Sequence, residues 1–294
     1  MIEASVRARP RAAVLELLAQ ALRVRQWTKN LLLFAGLLFA ARLGDATRWA
    51  DAAVAFAAYC AASSAAYLVN DVRDAESDRL HPVKRFRPVA AGQLSKRAAL
   101  VLAASLGALA LGASAALGVD PLLFLASFAA LQLAYSLWLK QVVGLDVLAI
   151  AALFTIRAAA GADAVRVRIS PWLLVCTGLL ALLLALGKRR GELASGRVGR
   201  AVLARYSLGV LDRLLAALAF GTVGAYSAYA IEARNSPEMT FTIPFVVAGI
   251  GRYLLLVRRR GLGEEPEEIL LADVPILAAI AGWTVTAALV LTLS

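Results

Sequence analysis

The chain has 294 residues, 61% of them hydrophobic and only 17% charged, with a mean hydropathy of +0.74. That balance excludes an ordinary soluble domain, which is less apolar and more charged. The formal charge of +11 needs no nucleic acid to explain it, because most Lys and Arg lie between apolar blocks, on the side a membrane protein keeps cytoplasmic.

In chain order, residues 1–24 come first. "AAVLELLAQAL" is interrupted by Glu16 and Gln20 and followed by Arg23 and Arg25, so it does not read as a cleavable signal. Val14, Leu17, Leu18, Ala21 and Leu22 recur at helical spacing and predict an amphipathic helix on the cytoplasmic surface. Nine apolar blocks follow, at 25–43, 52–69, 98–119, 121–139, 145–163, 171–187, 208–231, 240–257 and 274–293. Each matches the roughly 17–25 residues that cross a bilayer, although the strictly apolar part of the first is only Leu31 to Ala41. The expectation is an all-α polytopic membrane protein with one domain of nine spans over 25–294.

With the N-terminus inside, Arg7, Arg9, Arg11, Arg23, Arg25, Lys29, the 70–97 loop, Lys140, the group from Lys188 to Arg213, and Arg258, Arg259 and Arg260 are cytoplasmic. Only Arg42, Arg48, Arg166, Arg168 and Arg234 fall outside. This asymmetry predicts a multi-pass protein of the cell (plasma) membrane with its N-terminus and its charged loops in the cytoplasm. Cys60 and Cys176 sit in different spans without metal-ligand spacing, and read as small apolar fillers.

The densest charge is in "NDVRDAESDRLHPVKRFRPVAAG", Asn70 to Gly92. If the second span stays helical into this loop, Asn70, Asp74 and Asp78 share a stripe at i, i+4 and i+8, with Asp71 beside it. Like charges so placed repel unless a cation sits among them, and hard oxygen ligands suit Mg²⁺ shared with substrate phosphates. Lys84, Arg85 and Arg87 follow at once, where they could hold such a phosphate. Pro82, Pro88 and Gly92 would fold the loop back. His81, the one histidine, reads better as a loop hydrogen-bonding group than as a catalytic base.

Further along, Asp146 and Arg157 lie in or beside the fifth span, about three turns apart, facing a cavity or a partner helix. Arg252 reads as snorkelling to the inner headgroups, the five Trp as interfacial anchors, and "GEEPEE" as a solvated loop.

"NDVRDAESD" fits the NDxxDxxxD motif of the UbiA superfamily of intramembrane prenyltransferases, and "KRFRPVAAG" resembles its KRxxRPxxxG continuation. The resemblance implies nine helices around a central cavity open to the cytoplasmic side, with Mg²⁺ holding a diphosphate. Aromatic prenyltransferases carry a second aspartate-rich motif after span six. Here that position reads "LALGKRRGELASG", with Lys188, Arg189 and Arg190 before Glu192. The pattern is similar to a branch that transfers 5-phosphoribosyl from phosphoribosyl pyrophosphate to a polyprenyl (decaprenyl) phosphate, for arabinose-donor and cell-wall polysaccharide synthesis. "RQWTKN", "YSLWLK", "LDVLAIAALFTIRAAAGA" and "SPWL" resemble the same branch, with Val24 a departure from its usual Pro.

The resemblance implies that Asn70, Asp74 and Asp78, with Asp71, hold Mg²⁺ on the leaving pyrophosphate. Lys84, Arg85, Arg87, Lys188 and Arg189 would hold phosphates, and Tyr135, Asp146 and Glu192 the ribose hydroxyls. Lys29, Lys140 and Arg157 complete the candidate substrate site. Two rivals stand beside this reading: an aromatic prenyltransferase using an isoprenyl diphosphate, and a non-catalytic lipid transporter or lipid-binding protein. The expected partners are phosphoribosyl pyrophosphate, a polyprenyl phosphate and the membrane, with no nucleic acid; a homo-oligomer is left open.

Overall fold

Alanine and leucine dominate the chain and carry little penalty in a helix. In a computed structural model, which describes residues 11–39, 44–196, 205–232, 237–260, 263 and 266–293, every regular element is helical. Arg7, Arg9, Arg42, Arg234 and residues 197–204 of the second inner loop lie outside the described residues.

The predicted surface helix is α1 (Arg11–Ala21). Ala21 and Leu22 pack with Leu68, Ala75 and Val89, so its end is docked on the bundle. Among the described residues, seven helices are long and apolar enough to cross a membrane. They begin with α3 (Ala46–Arg73), α5 (Lys96–Leu117), α6 (Val119–Leu137) and α7 (Leu145–Ala164). The others are α8 (Pro171–Ala194), α9 (Leu208–Glu232) and α10 (Ile243–Arg260) with the 3₁₀ turn before it. A shorter apolar helix, α12 (Val274–Leu293), follows α11 (Pro266–Ala272). Local chemistry sets several of the starts. The Asp45 carboxylate accepts from Thr47 N and Arg48 N at the head of α3, Ser95 Oγ caps α5 through Ala98 N, and Pro171 opens α8.

The first expected span takes another form. Val24–Phe34 is a 3₁₀ helix, followed by the short α2 (Ala35–Phe39). Its reason is a backbone seam with α7. A Cβ on Gly161 would lie 2.2 Å from Leu33 O, and one on Gly36 would lie 2.8 Å from Ala162 Cα. Small residues let helices approach this closely in membranes, where packing rather than the hydrophobic effect holds them together.

The bundle runs α3 against α5, α6 against α7, α7 against α8, α8 against α9 and α10 against α12. Large apolar side chains such as Leu109, Leu123, Phe220 and Val285 point outward, as expected where lipid is the solvent. The C-terminal ends of α3, α6 and α8 and the N-terminal ends of α5 and α7 meet at one end of the molecule. The charged residues gather there.

Candidate active site

Helix α3 ends at Arg73, and α4 (Ala75–Leu80) resumes after one cap residue, Asp74. The i→i+4 bonds nevertheless continue, Asp74 N to Asn70 O and Asp78 N to Asp74 O, both 2.8 Å. The predicted stripe therefore keeps its helical register, but it is divided between two cationic partners.

On one side, Lys140 Nζ lies 3.4 Å from Asn70 Oδ1 and 3.5 Å from Asp74 Oδ2. An ammonium between those oxygens marks a position for a cation. On the other side, Asp71 and Asp78 are buried and share one guanidinium: Arg87 Nη1 donates to Asp78 Oδ2 at 2.6 Å and to Asp71 Oδ1 at 3.2 Å. Arg23 Nη2 donates to the same Asp71 oxygen at 2.5 Å, and its guanidinium lies over the Tyr67 ring at 4.5 Å. Arg23 was not singled out from the sequence, where it looked like one more cytoplasmic charge.

Among the described residues no three His, Cys, Asp or Glu side chains converge as a metal-binding group. The four expected ligands Asn70, Asp71, Asp74 and Asp78 stand here as two halves, each paired with cations of the chain itself, which relieve the repulsion between its acids. The donor set still fits Mg²⁺, which takes one or two protein carboxylates and completes its shell with water and substrate phosphate. Asn70 and Asp74, already around a cation, are the residues that would hold it.

The loop folds back as its Pro and Gly positions suggest. Gly92 takes φ 72°, Val89 and Ala90 are buried, and Arg79 Nε donates to Ala90 O at 3.1 Å. His81 Nδ1 accepts from Val83 N and Lys84 N and so serves the loop. Lys84 is half-buried, whereas Arg85 is exposed and lies over the Phe86 ring.

A third cluster joins α7 and α8. Arg189 is 0% exposed, with Nε 3.0 Å from Asp146 Oδ2 and Nη1 bonded to Glu192. The Nε–H is not aligned on the carboxylate, so that contact is electrostatic rather than a hydrogen bond. Tyr206 Oη donates to Asp146 Oδ1 at 2.6 Å and accepts from Gly144 N at 3.0 Å. Gly144, at φ 83°, makes the turn into α7 that brings its N–H there. Burial first, and then the bond to Asp146, push the Tyr206 phenol up to about 12. Arg189, Asp146, Glu192 and Tyr206, of which the first three were expected to meet phosphate or ribose, are here ion-paired and hydrogen-bonded to one another, while the buried Arg189 Nη2 has no hydrogen-bond partner among the described residues. Tyr206 was invisible in the sequence, lying sixty residues from Asp146.

Lys188, Lys29 and Tyr135 are half-buried at or near the charged end. Arg157 stands apart in the membrane interior. Its Nε donates to Asn30 Oδ1 at 2.7 Å, its Nη1 to Leu153 O at 3.1 Å, and it lies over Phe128. Of its two expected roles, the pairing with another segment is present here. Arg252, expected to reach the inner headgroups, pairs with Asp273 at 2.9 Å.

An apolar cavity of about 690 Å³ lies between α2, α7, α8, α9, α10 and α12. No predicted site residue lines it. On α8 it runs from Trp172 to Leu184, one turn short of Lys188. Trp172 and Trp283 line it, and the latter donates to Tyr226 Oη at 2.6 Å, so these two are wall residues rather than interfacial anchors.

Fold and site together define an all-helical membrane protein with an oxygen-ligand and guanidinium site at one end of its bundle. Residues 31–272 match the UbiA prenyltransferase family, and the chain belongs to it. A decaprenyl-phosphate phosphoribosyltransferase from Mycolicibacterium smegmatis is 36% identical, over 96% of this chain and 94% of its own. One from Mycobacterium tuberculosis is 35% identical over 94% of this chain and 95% of its own. A UbiA homologue from Archaeoglobus fulgidus, solved with GPP and Mg²⁺ bound, superposes with a TM-score of 0.73. It is 19% identical, with 93% of this chain and 99% of that one covered; this likeness speaks to the fold alone.

Proposed function

We propose that the protein transfers 5-phosphoribosyl from phosphoribosyl pyrophosphate to a polyprenyl phosphate, releasing pyrophosphate. The observation that carries this reading is likeness along 94–96% of the chain to relatives bearing that name. The basic turn Lys188–Arg190, standing where prenyltransferases carry a second acidic motif, supports it. On this reading the chain is an enzyme of the cell membrane, with residues 25–294 catalytic and the charged end cytoplasmic. Its product would feed cell-wall polysaccharide synthesis.

Mg²⁺, when bound, neutralises the departing pyrophosphate. The chain's own part is to hold and orient. Asn70 and Asp74 would hold the cation, and Lys140, which lies beside both, would add its charge to a phosphate there. Lys84, Arg87 and Lys188 add charge where the pyrophosphate leaves. The lipid phosphate is already an anion at neutral pH, so it can attack without a dedicated base, which agrees with His81 being occupied by its loop. The apolar cavity suits the prenyl chain, and it ends one turn below Lys188.

Membranes containing the protein, given labelled phosphoribosyl pyrophosphate and a panel of polyprenyl phosphates, should form a ribosyl lipid by mass spectrometry. Prenylated aromatic product from an isoprenyl diphosphate would replace this reading with the prenyltransferase. No product with either donor would favour a carrier of lipid.

A further inference from the structure

Asp71 has been grouped with the metal-binding residues, but its surroundings give it another task. Its Oδ1 receives Arg23 Nη2 at 2.5 Å and Arg87 Nη1 at 3.2 Å. Each arginine spends a single nitrogen on carboxylate: Arg87 Nη1 serves both Asp71 and Asp78, and Arg23 uses only Nη2. A guanidinium has five N–H donors in a rigid plane. Among the described residues, Nε and Nη1 of Arg23 and Nε and Nη2 of Arg87 have no hydrogen-bond partner. The two side chains are 23% and 25% exposed, and none of these donors is a sealed, buried atom, so they are open to a ligand from solvent. Two half-buried guanidinium groups, pinned from behind by one buried carboxylate with their remaining donors open, make a receptor for a phosphate oxyanion.

The backbone at Arg23 is bent to make this possible. Arg23 sits at φ 51°, ψ 51°, a left-handed conformation that costs a non-glycine residue about 1–2 kcal/mol. The surroundings hold it there. Ser64 Oγ donates to Leu22 O at 2.9 Å and accepts from Trp27 Nε1 at 3.1 Å, fixing the chain on both sides of the bend. The bend joins α1 to the 3₁₀ segment and turns the Arg23 side chain onto Tyr67 and Asp71.

We propose that Arg23 is a phosphate-binding residue of the active site, and that Asp71 is the anchor that aims Arg23 and Arg87 rather than a metal ligand. The inference rests on the phosphoribosyl-transfer reading only for which phosphate is held, the donor's or the lipid acceptor's; the receptor chemistry is the same.

The experiment compares wild type with Arg23→Gln and Arg23→Lys, the latter keeping the charge opposite Asp71 so that the fold is retained. Calorimetric binding of inorganic pyrophosphate to the purified protein is measured alongside KM for phosphoribosyl pyrophosphate and for the polyprenyl phosphate. Losing one charge-assisted contact should weaken pyrophosphate binding about tenfold or more in Arg23→Gln, and less in Arg23→Lys. A matching rise in one KM assigns the receptor to that substrate. A lower melting temperature with unchanged pyrophosphate binding and unchanged KM values would make Arg23 a structural clamp and overturn the proposal. If wild type binds pyrophosphate through Arg23 yet transfers no ribosyl group, the inference stands and the functional reading falls.

Discussion

Asp146→Asn separates a closed ion cluster from a substrate contact. Asp146 and Arg189 are both fully buried, and breaking such a pair by removing one charge costs about 3–5 kcal/mol. Glu192 remains bonded to Arg189 and keeps half of its neutralisation, so the loss should fall at the lower end, about 3 kcal/mol. At 2–4 °C per kcal/mol for chains somewhat shorter than this one, the melting temperature should drop by about 6–12 °C. The assay is thermal unfolding in detergent, run with the double variant Asp146→Leu/Arg189→Met. Replacing both charges by apolar groups of similar size should recover most of the loss, since buried pairs contribute little net stability against well-packed hydrophobes. An Asp146→Asn protein that melts like wild type but has a raised donor KM would refute this reasoning and return Asp146 to the ribose.

Asp74→Ala should abolish transfer at ordinary Mg²⁺ concentration while shifting stability little, because the Asp74 side chain is partly exposed and, among the described residues, its carboxylate pairs with Lys140; wild-type activity with an unchanged Mg²⁺ requirement would remove Asp74 from the cation position. Gly161→Ala should fail to assemble or melt far below wild type, since its Cβ would meet Leu33 backbone at 2.2 Å, whereas Gly107→Ala, with nothing within 4 Å, should be neutral or slightly stabilising. Tyr206 has its phenol raised from 10 to about 12, so folding favours the neutral form. Its contribution is complete below pH 10 and lost as pH rises to 12, so Tyr206→Phe should lower the melting temperature at pH 6–9, where the bonds to Asp146 and Gly144 are lost, and flatten the alkaline limb.

The helical class was legible because apolar blocks of bilayer length announce themselves, and seven of the expected spans appear as long apolar helices. The first was less legible, because its form depends on the approach of Gly161, more than a hundred residues away. In the site, the Asn70–Asp74–Asp78 register followed from helical spacing alone, and the backbone bonds across Asp74 bear it out. What spacing could not give was the partner of each charge. Arg23, Asn30 and Tyr206 reach Asp71, Arg157 and Asp146 across 48, 127 and 60 positions, and no local pattern encodes such a pairing. The two carboxylates beside Arg189 were hidden for the same reason: a basic residue next to Lys188 looks like a phosphate ligand, and its pairing with Asp146 appears only in the fold.

The seam between the 3₁₀ segment and α7 has a consequence for the order of events during synthesis. Asn30 is buried, with Arg157 of α7 donating to its Oδ1 and its amide reaching Cys60 of α3, and Leu33 rests on the backbone of Gly161. The partners on α7 leave the ribosome roughly 130 residues after the segment itself, a delay on the order of ten seconds at ordinary elongation rates. For that interval Asn30 lacks the Arg157 guanidinium, and a stretch carrying Arg25, Gln26, Lys29 and Asn30 belongs at the water interface. It should become a transmembrane wall only when α7 arrives. A Leu33→Cys probe should therefore react with a water-soluble thiol reagent in chains stopped before Leu145 and be protected in the full-length protein; equal protection in both would mean that the segment inserts unaided.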